Sequence, residues 1–547
     1  MFNAGGSELK GPLVLLAGMV LFLLLGAAVE ENRVSRYSPS GSAPSIFPEK
    51  ALIGVGDKII VNSANGGELL IREGATEKQL GSASPYPIKA APDHINASRI
   101  LAIPLAMQWR HPEAGLPAAQ VISAAEIDAL GRMGPERTRT YLFQGHGDLP
   151  VISLNADHTA LFDADSGIMV IGNAMLHAEH SVTAAYARDA SWWKYPGNFM
   201  GRGGKWERDA QIEMITPAGE LALVADARIR INGQMTRGFP QHALRLKFDD
   251  PIHPWNPFEK GLGYRSMVLR AAGNDQVKAM MRDAFQQTLC AGLHFETSKA
   301  WPCVLYVNGA YWGVHHLRER IDEKEIARRY SVSEKEITIL EDAAVLYHGD
   351  PVHVMEFKKL INALEKGAAI DRAIDTDGFL TYMASQMILG NMDWPEHNVK
   401  YWRYTGERGE GVRDGRWYWM MGDSDLSFGA NAAASSDLFI RVRTSNAPIS
   451  MLFRGLMRDR KYEAVFRAKI EFLLEDHLSS GKMLAGIDRM VSLIGPEMER
   501  HTARWRRPRN KATWEAEVEL MREFARTRAS HVRQQLIGAE VPGSLAP

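Results

Sequence analysis

Two short acidic clusters carry the clearest chemistry in this chain: Asn391-Met392-Asp393-x4-Asn398, and further on Asp423-Ser424-Asp425. An aspartate followed five positions later by an asparagine, and then by a second acidic group, matches a division of labour used in phosphoryl transfer. One carboxylate orients the attacking hydroxyl, while an amide oxygen and a further carboxylate hold a divalent metal on the phosphates. Oxygen ligands of this hardness suit Mg2+ or Mn2+ rather than zinc. The same spacing also fits unrelated loop and cap residues, because Asp-x4-Asn is a short pattern.

The elements that must position these residues can be read around them. Met387-Ile388-Leu389 ends an apolar helical stretch just before the first cluster, and Trp417 to Met421 reads as a buried strand that delivers Asp423 to a strand end. Leu149 to Leu154, Glu207 to Met214 and Leu221 to Ile231 read as strands. Val277, Met281, Phe285, Leu289 and Leu293 recur every four residues, which predicts an amphipathic helix. Pro302 to Val307 and Tyr311 to Val314 flank Asn308-Gly309, a type I′ hairpin signal. From about Ile449 to Ile537 the pattern is helical, broken at Arg506-Arg507-Pro508-Arg509, and the basic run Arg504 to Arg509 reads as a solvated loop.

Ahead of this region, residues 46–145 give short β-like runs at Lys58 to Val61, Leu69 to Arg72, Arg99 to Ile103 and Met107 to Trp109, which predicts a small β-sandwich. Residues 32–45 form a linker, rich in Ser, Pro and Gly from Ser35. Gly11 to Val29 is uncharged and apolar, long enough to cross a bilayer, with Lys10 before it and Glu30 and Glu31 after it. That charge order predicts a single-pass anchor over 1–31 with the globular part outside the cytoplasm. Gly26-Ala27-Ala28 equally fits a cleavage site, which would make the protein secreted.

At 547 residues, with 45% hydrophobic and 24% charged residues, the chain is globular and calls for more than one core. Lys+Arg 64 against Asp+Glu 65 leaves no bulk field for nucleic acid. Two cysteines, Cys290 and Cys303, exclude a disulfide scaffold and a cysteine-rich zinc site. They either pair in an oxidising compartment or stay as buried thiols. His315, His316 and His397 lack the spacing of a zinc set.

Taken in order, the motifs resemble the spore-coat-protein-H (CotH) kinase-like family, a branch of the protein-kinase-like superfamily. The resemblance is carried by Leu149 to Leu154 with Gly167-Ile168, Arg228 to Gly233 through Thr236-Arg237 to Leu244 to Phe248, and Arg282-Asp283. It continues through Val307 to Gly313, Arg318-Glu319, the Asn391/Asp393/Asn398 cluster and Asp423 to Gly429. It implies an α+β fold: an atypical kinase-like domain over 148–540 with a helical C-terminal part, here preceded by the small β-sandwich and one transmembrane helix. The sandwich itself is similar to the C-terminal domain of chitobiases.

The resemblance further implies ATP and Mg2+ or Mn2+ as cofactors, and Ser or Thr of secreted or envelope proteins as acceptors. Asp393 would be the catalytic aspartate; Asn398 and Asp423 would bind metal, with Asp425 a further metal ligand or a structural partner. Lys247 would neutralise the nucleotide phosphates, Glu319 would orient a basic partner or the metal, and Arg230 and Arg282 would clamp phosphate. Two positions depart from the family pattern. Gly422 stands where a Trp usually precedes the Asp-x-Asp pair, and Gln241-His242 stand where a Lys pair is usual. A catalytically silent binding or adhesion protein, and a metal-dependent transferase or hydrolase on the same scaffold, are the alternative functions. The topology is directly testable: a reporter fused after Asn32 should be active only outside the cytoplasm, and cytoplasmic activity would reverse the predicted orientation.

Overall fold

Period-two alternation governs the strands, as in Lys58 to Asn62, where Ile59 and Val61 are fully buried and their neighbours are not. The computed structural model describes residues 43–74, 76–80, 85–176, 197–253, 263–368, 370 and 372–538. Two compact units result, the smaller holding described residues up to Asn96 together with Ala119–Phe143. In it, β1 (Ser45–Phe47), β2 (Lys58–Asn62) and β5 (Tyr86–Lys89) form one antiparallel sheet. The other is ordered β4 (Thr76–Leu80), β3 (Glu68–Glu73), β6 (Gln120–Ile127), β7 (Arg137–Tyr141). Ile46, Ile59, Val61 and Ile88 of the first sheet meet Leu69, Ile71, Ile122 and Tyr141 of the second in one core.

This unit is not the continuous stretch expected from the sequence, since residues 97–118 group with the larger unit. There the Glu113 N–H donates to the Ala503 carbonyl and Ala118 bridges Ala310. Arg99 to Leu101 lie in helix α1 (His94–Leu101), not in a strand; Ala97, Ile100 and Leu101 are its buried residues, a helical spacing. Met107 to Trp109 form a turn closed by the Trp109 N–H on the Ala106 carbonyl. Among the described residues no helix is long and apolar enough to cross a membrane, and the Gly11–Val29 segment lies outside them.

The larger unit opens with β8 (Val151–Ala156) and the short helices α2 (His158–Phe162) and α3 (Asn173–Leu176). Then come β9 (Arg208–Ile215), β10 (Leu221–Asn232), β11 (Ala243–Ile252), β12 (Tyr264–Arg270), helix α4 (Arg282–Leu289), β13 (Ala300–Val307) and β14 (Ala310–Glu319). The strands close into a barrel, β10-β11-β12-β14-β13-β8-β9, antiparallel except for β13 beside β8. Asn308 and Gly309 turn the β13–β14 hairpin with φ of 47° and 82°, as a type I′ turn requires. Helix α4 is shorter than the four-residue repeat predicts. The buried Asp275 carboxylate accepts the N–H groups of Ala279, Met281 and Arg282, so the helix starts only there and Val277 is left exposed.

A second sheet stands beyond the barrel in the same unit, ordered β16 (Val345–His348), β15 (Ile337–Glu341), β17 (Val399–Tyr404), β18 (Tyr418–Met421). One face packs on helix α5 (Glu323–Tyr330) through Ile326, Ile337, Ile339 and Trp402. On the other face Phe357, from helix α6 (Val352–Glu365), stacks on Tyr401 with ring centroids 4.5 Å apart. Helix α7 (Thr376–Leu389) is apolar all round and buried along nearly its whole length. Six helices follow: α8 (Leu438–Thr444), α9 (Pro448–Leu456), α10 (Arg460–Glu475), α11 (Ser480–Ile494), α12 (Met498–Trp505) and α13 (Lys511–Gly538). The basic run does not begin in a solvated loop, for Arg504, in the last turn of α12, is fully buried against Trp312 and Trp505, 4.6 and 3.9 Å from their ring centroids. Cys290 and Cys303 are both buried and free, and burial pushes each thiol up to about 12.

The helical tail is tied to the site through Arg528 on α13. Its guanidinium donates to the carbonyls of Met387 and Ile388, the last turn of α7, and to those of Ala434 and Ser436. Arg528→Ala leaves those acceptors without their donor and should cost about 3 kcal/mol or more, at about 1–3 kcal/mol for each buried unsatisfied group. Chemical denaturation of the two proteins measures the difference, and a midpoint equal to wild type at equal slope would contradict it.

Candidate active site

Helix α7 stops at Gly390, whose φ of 68° places it in the left-handed region that ends helices, and the chain enters the Asn391–Asn398 loop. Asn391 is buried and donates its amide to Gln386 Oε1, while its own Oδ1 accepts the Asp393 N–H. Asn398 Nδ2 donates to Asp393 Oδ2 at 2.7 Å. The amide and carboxylate five positions apart are therefore one hydrogen-bonded pair, at the start of β17. Burial raises the Asp393 carboxyl above its ordinary value; the Asp423 charge adds to this, while His397 and Arg441 oppose it.

Strand β18 ends beside β17, with Val399 opposite Met421, and Gly422 follows. A Cβ at Gly422 would run into the Asn398 carbonyl oxygen. The absent side chain is thus what lets the two loops touch and brings Asp423 alongside Asn398. This gives the glycine departure a physical role. The Phe428 N–H then donates to the Leu389 carbonyl, returning the Asp423–Phe428 turn to the end of α7.

Helix α4 grips that turn with side chains that would be costly to bury without partners. Asp283 Oδ1 accepts the Ser424 N–H and hydroxyl, Gln286 donates to the Ser424 carbonyl, and Gln287 donates to the Met421 and Gly422 carbonyls. At the centre stands Arg270, the last residue of β12. Its Nη2 lies 2.5 Å from Asp423 Oδ1 and 3.2 Å from Asp425 Oδ2, and its Nε lies 3.4 Å from Asp283 Oδ2. Arg318 pairs with Asp283 from the neighbouring strand. Burial works against the Arg270 charge, but Asp423, Asp283 and Asp425 outweigh it and raise its pKa. Arg270 was not singled out by the sequence. It follows an apolar run with no local pattern, and its partner Asp423 lies 153 positions away. For Gln286 and Gln287 the only available signal was two adjacent glutamines within a helix otherwise heading for a core.

The eight residues expected at the site divide into groups. Asp393, Asn398, Asp423 and Asp425 come together, but Asp425 differs from the others. Its Oδ2 accepts the Asn274 N–H as well as Arg270, and its Oδ1 accepts Asn274 Nδ2, so both oxygens are engaged by protein. Burial and the Asp423 charge push the Asp425 carboxyl up, and Arg270 counters them. These bonds fit the structural-partner alternative for Asp425.

Arg230 and Lys247 share a second feature, a basic face of the barrel. Arg228 pairs with Lys247 and Arg230 with Arg245 in the β10–β11 register, and Ser266, Val268 and Arg270 continue that face on β12. Like charges opposite one another are destabilising unless something negative joins them. Glu207 is the shared carboxylate, 3.5 Å from Arg228, 4.0 Å from Arg230 and 3.8 Å from Lys247. Burial, then Arg245, lowers the Arg230 pKa. Across from this face, Arg320 donates to the Tyr347 hydroxyl and Lys400 lies 3.8 Å from the Tyr347 ring centroid.

Two residues expected at the cleft lie outside it. Arg282 is fully buried and donates to Asp275 at 2.6 Å, Glu517 at 2.9 Å and the Phe428 carbonyl, so its guanidinium is closed to a ligand in the cleft. Glu319 is buried and accepts from Tyr264, the Lys299 N–H and Arg329, so the basic partner it holds is Arg329 and it anchors α5. It pairs opposite Met267, so it projects away from the face that carries Val268 and Arg270. Gln241 and His242 are likewise fully buried. Gln241 donates to the Val314 carbonyl, His242 meets the Met169 carbonyl, and burial lowers the His242 pKa to about 4. Since those two side chains point into the protein, their neutrality takes no charge from the basic face.

The hydrogen bonds leave Asp393 Oδ1, Asn398 Oδ1 and Asp423 Oδ2 without donors among the described residues. Oxygens of this kind, those of Asn398 and Asp423 above all, fit Mg2+ or Mn2+. Among the described residues no three His, Cys, Asp or Glu side chains assemble into a complete metal site. A cation here would therefore take its remaining ligands from phosphate oxygens and water, as Mg2+ commonly does.

The architecture is that of an α+β domain in which a helix, an Asp/Asn loop, two strands and a second acidic turn follow in order. The family model of CotH kinase proteins matches residues 229–532, more than half of the chain, and the chain belongs to that family. A search of curated proteins found no match. The close approach at Gly422 yields a prediction. Gly422→Ala should separate Asp423 from Asn398 and destabilise the fold by about 1–3 kcal/mol, the usual range for overpacking. Unchanged denaturation midpoint and unchanged ligand binding would show that the contact is not needed.

Proposed function

We propose that the protein is an exported, membrane-tethered atypical protein kinase that transfers phosphate from ATP to Ser or Thr of secreted or envelope proteins. The observation that carries this reading is the Asp393–Asn398 pair with Asp423 beside it, three oxygens without donors next to a basic barrel face. Family membership supports the kinase-like chemistry; export and tethering rest on the Gly11–Val29 segment and its flanking charges.

In this reading Asp393 Oδ1 accepts the hydrogen of the acceptor hydroxyl. The hydroxyl oxygen forms the new bond to the γ-phosphorus, the bond to the bridging oxygen of ADP breaks, and the proton leaves through Asp393. Asn398 holds Asp393 in place through Oδ2 and, with Asp423, offers the oxygens for the divalent cation. That cation supplies charge neutralisation on the phosphates. Lys247, Arg230, Arg245 and Lys400 lie where an extended polyphosphate could meet several positive charges, and guanidinium donors match phosphate geometry.

Two tests separate the roles. Asp423→Ala should abolish the thermal shift given by ATP with Mn2+, whereas Asp393→Asn should keep the shift and slow transfer by about 10²- to 10⁴-fold, the usual worth of a positioned base. No shift in wild type at millimolar ATP would overturn the kinase reading in favour of a binding protein. A second test follows from the raised Asp393 pKa. The reaction needs its carboxylate form, so the rate should fall as pH drops through a value above the ordinary 3.8. An acid limb at or below 3.8 would contradict the role of this burial.

A further inference from the structure

We propose that the Arg270 guanidinium is a resident cation of the acidic site, standing in one of the two positions that a pair of divalent cations would occupy, so that the site takes a single Mn2+ or Mg2+. The inference rests on the kinase reading of the same site and goes beyond it by setting how many metal ions the site holds.

Phosphoryl-transfer sites of this general kind use two divalent cations held by the second acidic turn and the loop asparagine. Here the second acidic turn is already shared with a fixed positive charge. Arg270 Nη2 lies between Asp423 Oδ1 and Asp425 Oδ2, at 2.5 and 3.2 Å. Asp423 Oδ1 also accepts the Asp425 N–H, and both Asp425 oxygens accept from Asn274. Backbone closes the remaining space, because a Cβ at Gly273 would run into Asp425 Oδ2. An ion with a hydration shell has no room on that side.

On the open side the case is reversed. Asp423 Oδ2 and Asn398 Oδ1 remain without donors, enough to hold one cation whose other ligands are phosphate oxygens and water. The arginine is also held in place. It ends a barrel strand and Nε faces Asp283, itself fixed by Ser424 and Arg318. Reaching another position would leave buried carboxylates unpaired, which is strongly unfavourable.

Mn2+ titration followed by electron paramagnetic resonance, with and without a non-hydrolysable ATP analogue, counts the ions directly. Wild type should bind one Mn2+ per chain with the analogue, Arg270→Lys should also bind one, and Arg270→Ala should bind two. Circular dichroism checks that each variant is folded; if Arg270→Ala is not, the wild-type and Arg270→Lys counts decide. Two ions in wild type would overturn the inference and leave the kinase reading standing. So would a single ion in folded Arg270→Ala. One ion bound equally with and without the analogue would support the resident cation and overturn the kinase reading. No bound ion in wild type would overturn both.

Discussion

Asp283, Asp423 and Asp425 lie within ion-pair distance of one guanidinium, and the pairing with Arg270 is what permits three carboxylates to share a space largely closed to water. Coulomb repulsion among them grows as water is excluded, so without a fixed positive charge the group would separate or take up protons. Arg270 comes from the end of a barrel strand, Asp283 from helix α4, and the other two from the turn after β18. One side chain thus joins the barrel to the second sheet, and the position of Asp423 relative to Asn398 follows from it.

The rest of the unit serves that junction. Helix α4 directs Asp283, Gln286 and Gln287 at main-chain groups of the turn, exchanging apolar burial for fixed hydrogen-bond geometry. Arg528 holds the last turn of α7, from which the Asp393 loop departs, so the helical tail acts on the site through backbone carbonyls. Glu319 and Arg282, both outside the cleft, fix α5 and the start of α4. Ionisable residues near this site therefore fall into two sets. Arg282 and Glu319, with their polar atoms engaged by protein, build the frame, and Asp393 and Asp423, each with an oxygen left over, face the cleft.

Sequence reading recovered what is local and missed what is long-range. The hairpin at Asn308-Gly309, the strand ending before Asp423 and the helix ending before Asn391 each have a signature within a few residues, and each is found in the fold. Barrel closure was not legible, since it depends on pairings such as β8 with β13 across some 150 residues of chain, which alternation alone does not encode. The predicted helix from Val277 began late because the Asp275 carboxylate captured the N–H groups of Ala279, Met281 and Arg282. Charge was the least legible property. Arg230 and Arg282 look alike in sequence, yet one lines an open basic face and the other is sealed against Asp275. Gln241-His242 looked like a loss of phosphate-binding charge and proved to be buried packing.

The decisive measurement is transfer of label from γ-phosphate-labelled ATP to a Ser/Thr-rich acceptor protein by the full chain with Mn2+. A kinase of this kind puts label on Ser or Thr hydroxyls, lost when metal is chelated and lost in Asp423→Ala. Label found only in ATP and inorganic phosphate, with the chain folded and nucleotide bound, would contradict it.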